Sequence, residues 1–267
     1  MTTRGIAALE SLSTTVLALG DTLTDAVWAQ PSGCPGWSNH DVLIHLVCTL
    51  RAVVEPQTLP APVAGSIERS NDVAVAVNRG SGPGRTMTDY RRLLEPALET
   101  LTRMQGEPAA GEVVDFDDAG VYPAHLIADS LVFDQYCHLR HDLRPPRGTL
   151  EFLEVEADET VMGASLTWLI AGLPQMSPPR LATAVTAPVQ LNLSGQGGGT
   201  WTLTPAPEGE SVTVRRGPAP DAEARVASTA DAFHLWGTGR AHWRDAGVSI
   251  GGDTGLATAV IDAIHVF

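Results

Sequence analysis

The sequence contains no lysine: all 17 of its basic residues are arginine, set against 31 acidic ones. The formal net charge is −14 and the pI about 4.8. A surface of that sign repels polyanions, which argues against nucleic acid and anionic membranes as partners. Cysteine is scarce. Cys34, Cys48 and Cys137 are odd in number and form no CxxC pair, so neither a disulfide framework nor a cysteine zinc knuckle is expected. Long apolar runs are missing too. No stretch reaches about 18 apolar residues, and "MTTRGIAALESLSTTVL" lacks a signal peptide's uninterrupted apolar core. These absences lead to the expectation of a soluble, cytoplasmic protein.

What is present is core material. The 267 residues are 43% hydrophobic and 18% charged, enough for one large domain or two modest ones. From Ile6 to Trp28, apolar residues recur every three or four positions, which predicts a helix. After the breaker cluster "QPSGCPGW", Ser38 stands as an N-cap with Asp41 three residues on, and a second apolar helix follows until Pro56. Residues 57–85 are rich in Pro, Gly, Ser and Asn and read as a long loop, of the kind that serves as a lid or crossover. A third helix is expected over Met87–Met104. After an acidic loop, a fourth is expected from Pro123. Four long helices in about 145 residues predict a helix bundle.

A fifth helical stretch, Glu151 to Leu173, leads into "PQMSPPR", which reads as a linker. Beyond it, the alternating runs "ATAVTAPVQLNLSG", "TWTLTPA", "SVTVRR" and "ARVAST" between Gly/Pro/Asp-rich turns predict an antiparallel sheet, with helices near 231–238 and 255–265. The expected fold class is α+β: a four-helix bundle over residues 1–173, then a small α+β domain over 180–267.

The chemistry concentrates in "FDQYCHLRHDL". Asp134 and His138, four apart, project from one helical face, as two ligands to one metal would. His45, inside the apolar run of the second helix, is the candidate third ligand. Two imidazoles and a carboxylate leave a coordination position open and suit zinc or another divalent ion. The plainer alternatives are a hydrogen-bonded core histidine at position 45 and an ordinary helix-stabilising Asp/His pair. His141 and Asp142 also fit a one-face pairing with His138, and His40 is expected to face solvent. The three cysteines read as small apolar packing, and Trp37 as packing the turn against the bundle.

"CPGWSNHDVLIHL" resembles the signature of the mycothiol-dependent maleylpyruvate isomerase family, a branch of the DinB-type metal-binding bundles. The resemblance implies that Asp41 to His45 is the family's Asp-x-x-x-His ending in a metal ligand. It further implies that Asp134 and His138 are the second ligand cluster, with Asp where the isomerase branch carries Glu. It implies a sterol-carrier-like C-terminal domain whose closing segment matches "LWGTGRAHWRDAGVSIGGDTGLATAVIDAI", and it points to Arg240 as an active-site arginine. The implied function is metal-dependent thiol chemistry with mycothiol as cosubstrate and a small electrophile as substrate. A mycothiol S-transferase is the favoured form. Maleylpyruvate isomerase proper and a non-catalytic metal- or thiol-binding module stay open.

Overall fold

Leu9, Leu12, Val16 and Leu19 make one face of the first helix apolar, and all four are buried. In the structure, a computed structural model that describes residues 3–266 except 177 and 208, this helix is α1 (Arg4–Thr22). It stops short of the expected Trp28. Leu23 turns to extended backbone, and a separate turn, α2 (Asp25–Trp28), follows. The second expected helix is α3 (Asn39–Val54). Residues 57–85, expected as loop, instead hold α4 (Ile67–Asn78), whose first turn is capped by Ser66 Oγ accepting from Arg69 N–H. Only Ala74 and Val75 of α4 are buried, which is why the sequence shows so little periodicity there.

α5 (Pro83–Arg103) starts earlier than expected, with Pro83 in the first turn, where its missing N–H leaves no hydrogen bond unmade. The acidic loop then forms a small antiparallel hairpin, β1 (Val113–Asp115) with β2 (Val121–Pro123). α6 (Ile127–Cys137) follows a single 3₁₀ turn over Ala124–Leu126, so Pro123 ends a strand instead of opening the helix. The expected bundle is present: α1 packs on α5 and α6, and α3 packs on α5. Its core includes Leu9, Leu12, Leu46, Leu50, Leu93, Leu101 and Val132.

The chain divides into two units, Met1–Glu156 and Ala157–Phe267. The sequence reading ended the first domain at 173. The structure ends it before α7 (Glu159–Met176), which Asp158 Oδ1 caps by accepting from Val161 N–H. α7 is buried on nearly every side, from Val161 through Leu173, so its sequence carries no stripe to say which unit it joins. The expected linker is largely helical, shared between the end of α7 and α8 (Pro178–Ala184); Ser177 within it lies outside the described residues.

The second unit adds β3 (Val189–Ser194), β4 (Gly199–Pro205), β5 (Val212–Arg216), β6 (Ala224–Thr229), α9 (Ala230–Gly237), β7 (Ser249–Gly252) and α10 (Thr254–Ala263). The five-stranded sheet has order β5-β4-β3-β6-β7. Its pairs are antiparallel except β3–β6, which runs parallel with Leu191 opposite Val226. Val189, Leu191 and Leu193 point to the buried face, as the period of two requires.

Candidate metal centre

The site is built on the turn that precedes α3. Gly36 sits at φ +80°, in the left-handed region that favours glycine, and lets Cys34-Pro35-Gly36-Trp37 turn tightly. Ser32 Oγ holds the turn by accepting from Cys34 N–H and donating to Trp37 O. Ser38 then caps α3 in a complete capping box. Its Oγ accepts from Asp41 N–H, and Asp41 Oδ2 accepts from Ser38 N–H at 2.9 Å. Asp41 Oδ1 also takes Arg79 Nε at 2.9 Å, while Arg79 Nη2 donates to Gly36 O. Burial works to raise the Asp41 carboxyl, but Arg79 and Ser38 outweigh it and hold the group below its ordinary range. From α4, Asp72 accepts the Trp37 indole N–H at 2.9 Å. Turn, cap and α4 are therefore tied by side chains that hold Trp37 in place.

The start of α3 aims His45 inward, where it is 3% exposed. The structure brings all three residues singled out as ligands together. His45 Nε2 lies 2.9 Å from Asp134 Oδ1, and His138 Nε2 lies 3.5 Å from the same oxygen. The three ligand atoms all fall within 4.8 Å of one another. The two imidazoles meet edge-on with centroids 4.9 Å apart, and the Trp37 ring lies 5.3 Å from His45 and 6.2 Å from His138. Burial would raise the Asp134 carboxyl, yet the adjoining His45 and His138 rings hold it well below the usual range. Burial would likewise lower His138. Cys34, Asp134 and Asp142 outweigh that and hold it well above its ordinary value.

This donor set fits a divalent cation. Asp134 Oδ2 is buried with no hydrogen-bond partner, so half of the carboxylate is unsatisfied. The 3.5 Å gap from His138 Nε2 to Oδ1 is long for a hydrogen bond. Two ring nitrogens, borderline donors, and one hard carboxylate oxygen make a set that zinc accepts.

Two further side chains adjoin the site, one of which, Cys34, escaped the sequence reading. Cys34, read as packing, is half-buried and places Sγ 3.5 Å from His138 Nδ1. Asp142, left open as an alternative partner, approaches that same Nδ1 with Oδ2 at 3.0 Å. Asp142 was signalled by its spacing of four from His138, but Cys34 has no local sequence signal, because only the fold brings it within reach. His40, expected in solvent, is half-buried with Nε2 2.9 Å from Thr86 Oγ1, and burial lowers its pKa. His141 packs edge-on against Tyr136. Arg240 lies in the second unit just past α9, its backbone N–H donating to Leu235 O.

Comparison with known proteins bears on the fold and the family. The model of the family described as the Mycothiol maleylpyruvate isomerase N-terminal domain matches residues 9–138, a span that holds His45, Asp134 and His138. A search of curated proteins finds no match. Among solved structures, the crystal structure of the mycothiol-dependent maleylpyruvate isomerase is similar at a TM-score of 0.51 and 15% identity, covering 96% of this chain and 97% of that one. A histidine-to-alanine variant of the same enzyme is similar at a TM-score of 0.52 and 14% identity, with the same coverage. At those identities the structures speak for the fold, and the family match speaks for descent. Over residues 9–138, the chain carries a domain that matches the mycothiol maleylpyruvate isomerase N-terminal domain family.

Proposed function

We propose that this protein is a mycothiol-dependent enzyme in which His45, Asp134 and His138 hold a divalent metal ion, zinc by the character of the donors. The observation that carries the reading is the convergence of His45 Nε2 and His138 Nε2 on one carboxylate oxygen, Asp134 Oδ1. When bound, the ion would acidify the mycothiol thiol, whose kind has a free pKa of about 8.5, so that thiolate is available at neutral pH. The chain's residues do the rest. The capped α3 fixes His45, Asp134 supplies the negative charge that offsets a cation, and Trp37 shields the two imidazoles on one side. Cys34, Cys48 and Cys137 form no disulfide with one another, which supports a reducing, cytoplasmic setting.

The thiolate's target is a small electrophile. If sulfur stays attached, the product is a mycothiol S-conjugate and the protein is a transferase. If addition to a cis double bond is followed by rotation and elimination, it is an isomerase. Asp134, shorter by one methylene than the glutamate of the isomerase branch, supports the broader transferase reading. The family match and the fold likeness support the isomerase reading. The resemblance assigns Arg240 to the substrate, so Arg240→Gln is expected to raise KM while metal content is unchanged.

Elemental analysis is expected to find about one divalent ion per chain, and His45→Ala to lose most of it. Full metal content in that variant would remove His45 from the site. Chelation is expected to lower Tm, because a ligand bound only by the folded state stabilises it. Incubation with mycothiol and a panel of electrophiles including maleylpyruvate separates the two enzymes: S-conjugate marks a transferase, and trans product without thiol loss marks an isomerase. Metal-loaded protein that yields neither would be a binding module instead.

A further inference from the structure

We propose that Asp142 is a positioning residue for this site: it fixes the tautomer of His138 so that Nε2 faces His45 and Asp134, and Arg147 holds Asp142 in turn. The inference rests on reading His45, Asp134 and His138 as a metal seat.

The chain beyond α6 does not continue as an α-helix. His138–Asp142 form a π-turn closed by Leu143 N–H donating to His138 O at 2.8 Å, one residue wider than an α-turn. Asp142 is 0% exposed, a costly place for a carboxylate unless it is paired. Its partners account for the burial. Oδ2 lies 3.0 Å from His138 Nδ1, and Oδ1 lies 3.3 Å from Arg147 Nε. A carboxylate held by an arginine is an acceptor only, so the proton of the His138–Asp142 bond sits on Nδ1. Cys34 Sγ faces the same nitrogen from 3.5 Å, farther away and a weaker acceptor, and does not displace Asp142. With Nδ1 committed, the lone pair of a neutral His138 lies on Nε2, the nitrogen turned toward Asp134.

The same residues form a brace to the turn before α3. Arg147 Nη2 donates to Gly33 O at 2.7 Å, and Gly33 N–H donates to Asp142 O at 2.6 Å. The contact is close enough that a Cβ on Gly33 would meet Arg147 Cβ at 2.8 Å and Asp142 Cα at 3.0 Å. Arg147 thus joins Asp142, behind His138, to the segment that leads into the helix bearing His45. Position and tautomer of His138 are set together with the geometry of the opposing ligand.

The test uses Co2+ as the probe, read by visible absorption, and the imidazole 15N–1H signals of the zinc-loaded protein. Asp142→Asn is expected to weaken Co2+ binding about 10–100-fold, the usual effect of losing such an outer partner. The His138 Nδ1–H signal is expected to shift or to be lost by exchange with water, which a merely structural defect with intact ligands would not produce. Arg147→Gln, at a half-exposed position, is expected to move both readouts in the same direction by less, and it carries the test if the buried Asp142→Asn variant does not fold. Wild-type Co2+ affinity with an unchanged His138 signal, in either folded variant, would overturn the proposal. His138→Ala separates the two levels. If it abolishes Co2+ binding while Asp142→Asn leaves it intact, the metal seat stands and only the role of Asp142 fails. If it binds Co2+ like wild type, the metal reading itself has failed.

Discussion

Two buried aspartates in the first unit show how a partner decides what burial does to a carboxylate. Asp142 has His138 and Arg147 and sits comfortably at zero exposure. Asp129, 6% exposed on α6, is pushed up to about 6 by burial, with the charges of Arg4 and His125 pulling weakly the other way. A folded-state pKa above the unfolded value means that the folded chain binds the proton more tightly. Stability from this group is therefore greatest at low pH and falls as pH rises from about 4 to about 6. Asp129→Asn is expected to remove that fall, leaving the variant up to roughly 2–3 kcal/mol more stable relative to wild type above pH 6 than at pH 4. Denaturant unfolding of both proteins across that range checks it; parallel stability curves would contradict it. The candidate ligand residues show what the sequence makes legible at this scale. The four-residue step from Asp134 to His138 is a local fact about one helix, whereas Cys34 and Arg147 reach His138 and Asp142 only through packing.

α3 is the element whose boundaries the sequence announces most clearly, because its start is a side-chain device. Ser38 and Asp41 form a capping box at the positions their spacing predicts, and Arg79 adds an ion pair to the same aspartate. Asp41→Ala is expected to cost about 1–2 kcal/mol, read as a lower midpoint in denaturant unfolding of metal-free protein. An unchanged midpoint would mean that the cap contributes nothing to holding α3. Elements with weaker devices are less legible. α4 hides because its apolar face is two residues wide, Ala74 and Val75, packed on Ile44 and Cys48. The β1–β2 hairpin is three residues a side and lies within an acidic stretch. The π-turn at His138–Asp142 is invisible to a period of 3.6, since it differs by one residue from the pattern that period describes.

Across the whole molecule, a helical part followed by a sheet is readable because the hydrophobic period changes from near four to two. The place of the change is not, because α7 is apolar all round and could belong to either unit by pattern alone. The parallel β3–β6 pair is hidden for a related reason, as strand alternation fixes a face and says nothing of direction. The composition adds one physical constraint: with a net charge of −14, the surface repels polyanions. In the proposed function, His45, Asp134 and His138 would hold a metal ion that takes the mycothiol sulfur. The most direct measurement is the near-ultraviolet absorption of Co2+-loaded protein as mycothiol is added. A thiolate-to-cobalt charge-transfer band that saturates at about one thiol per chain is expected in the wild type, and no band in His45→Ala or His138→Ala. A cobalt-loaded wild type that develops no band, or variants that develop it as strongly, would contradict the claim.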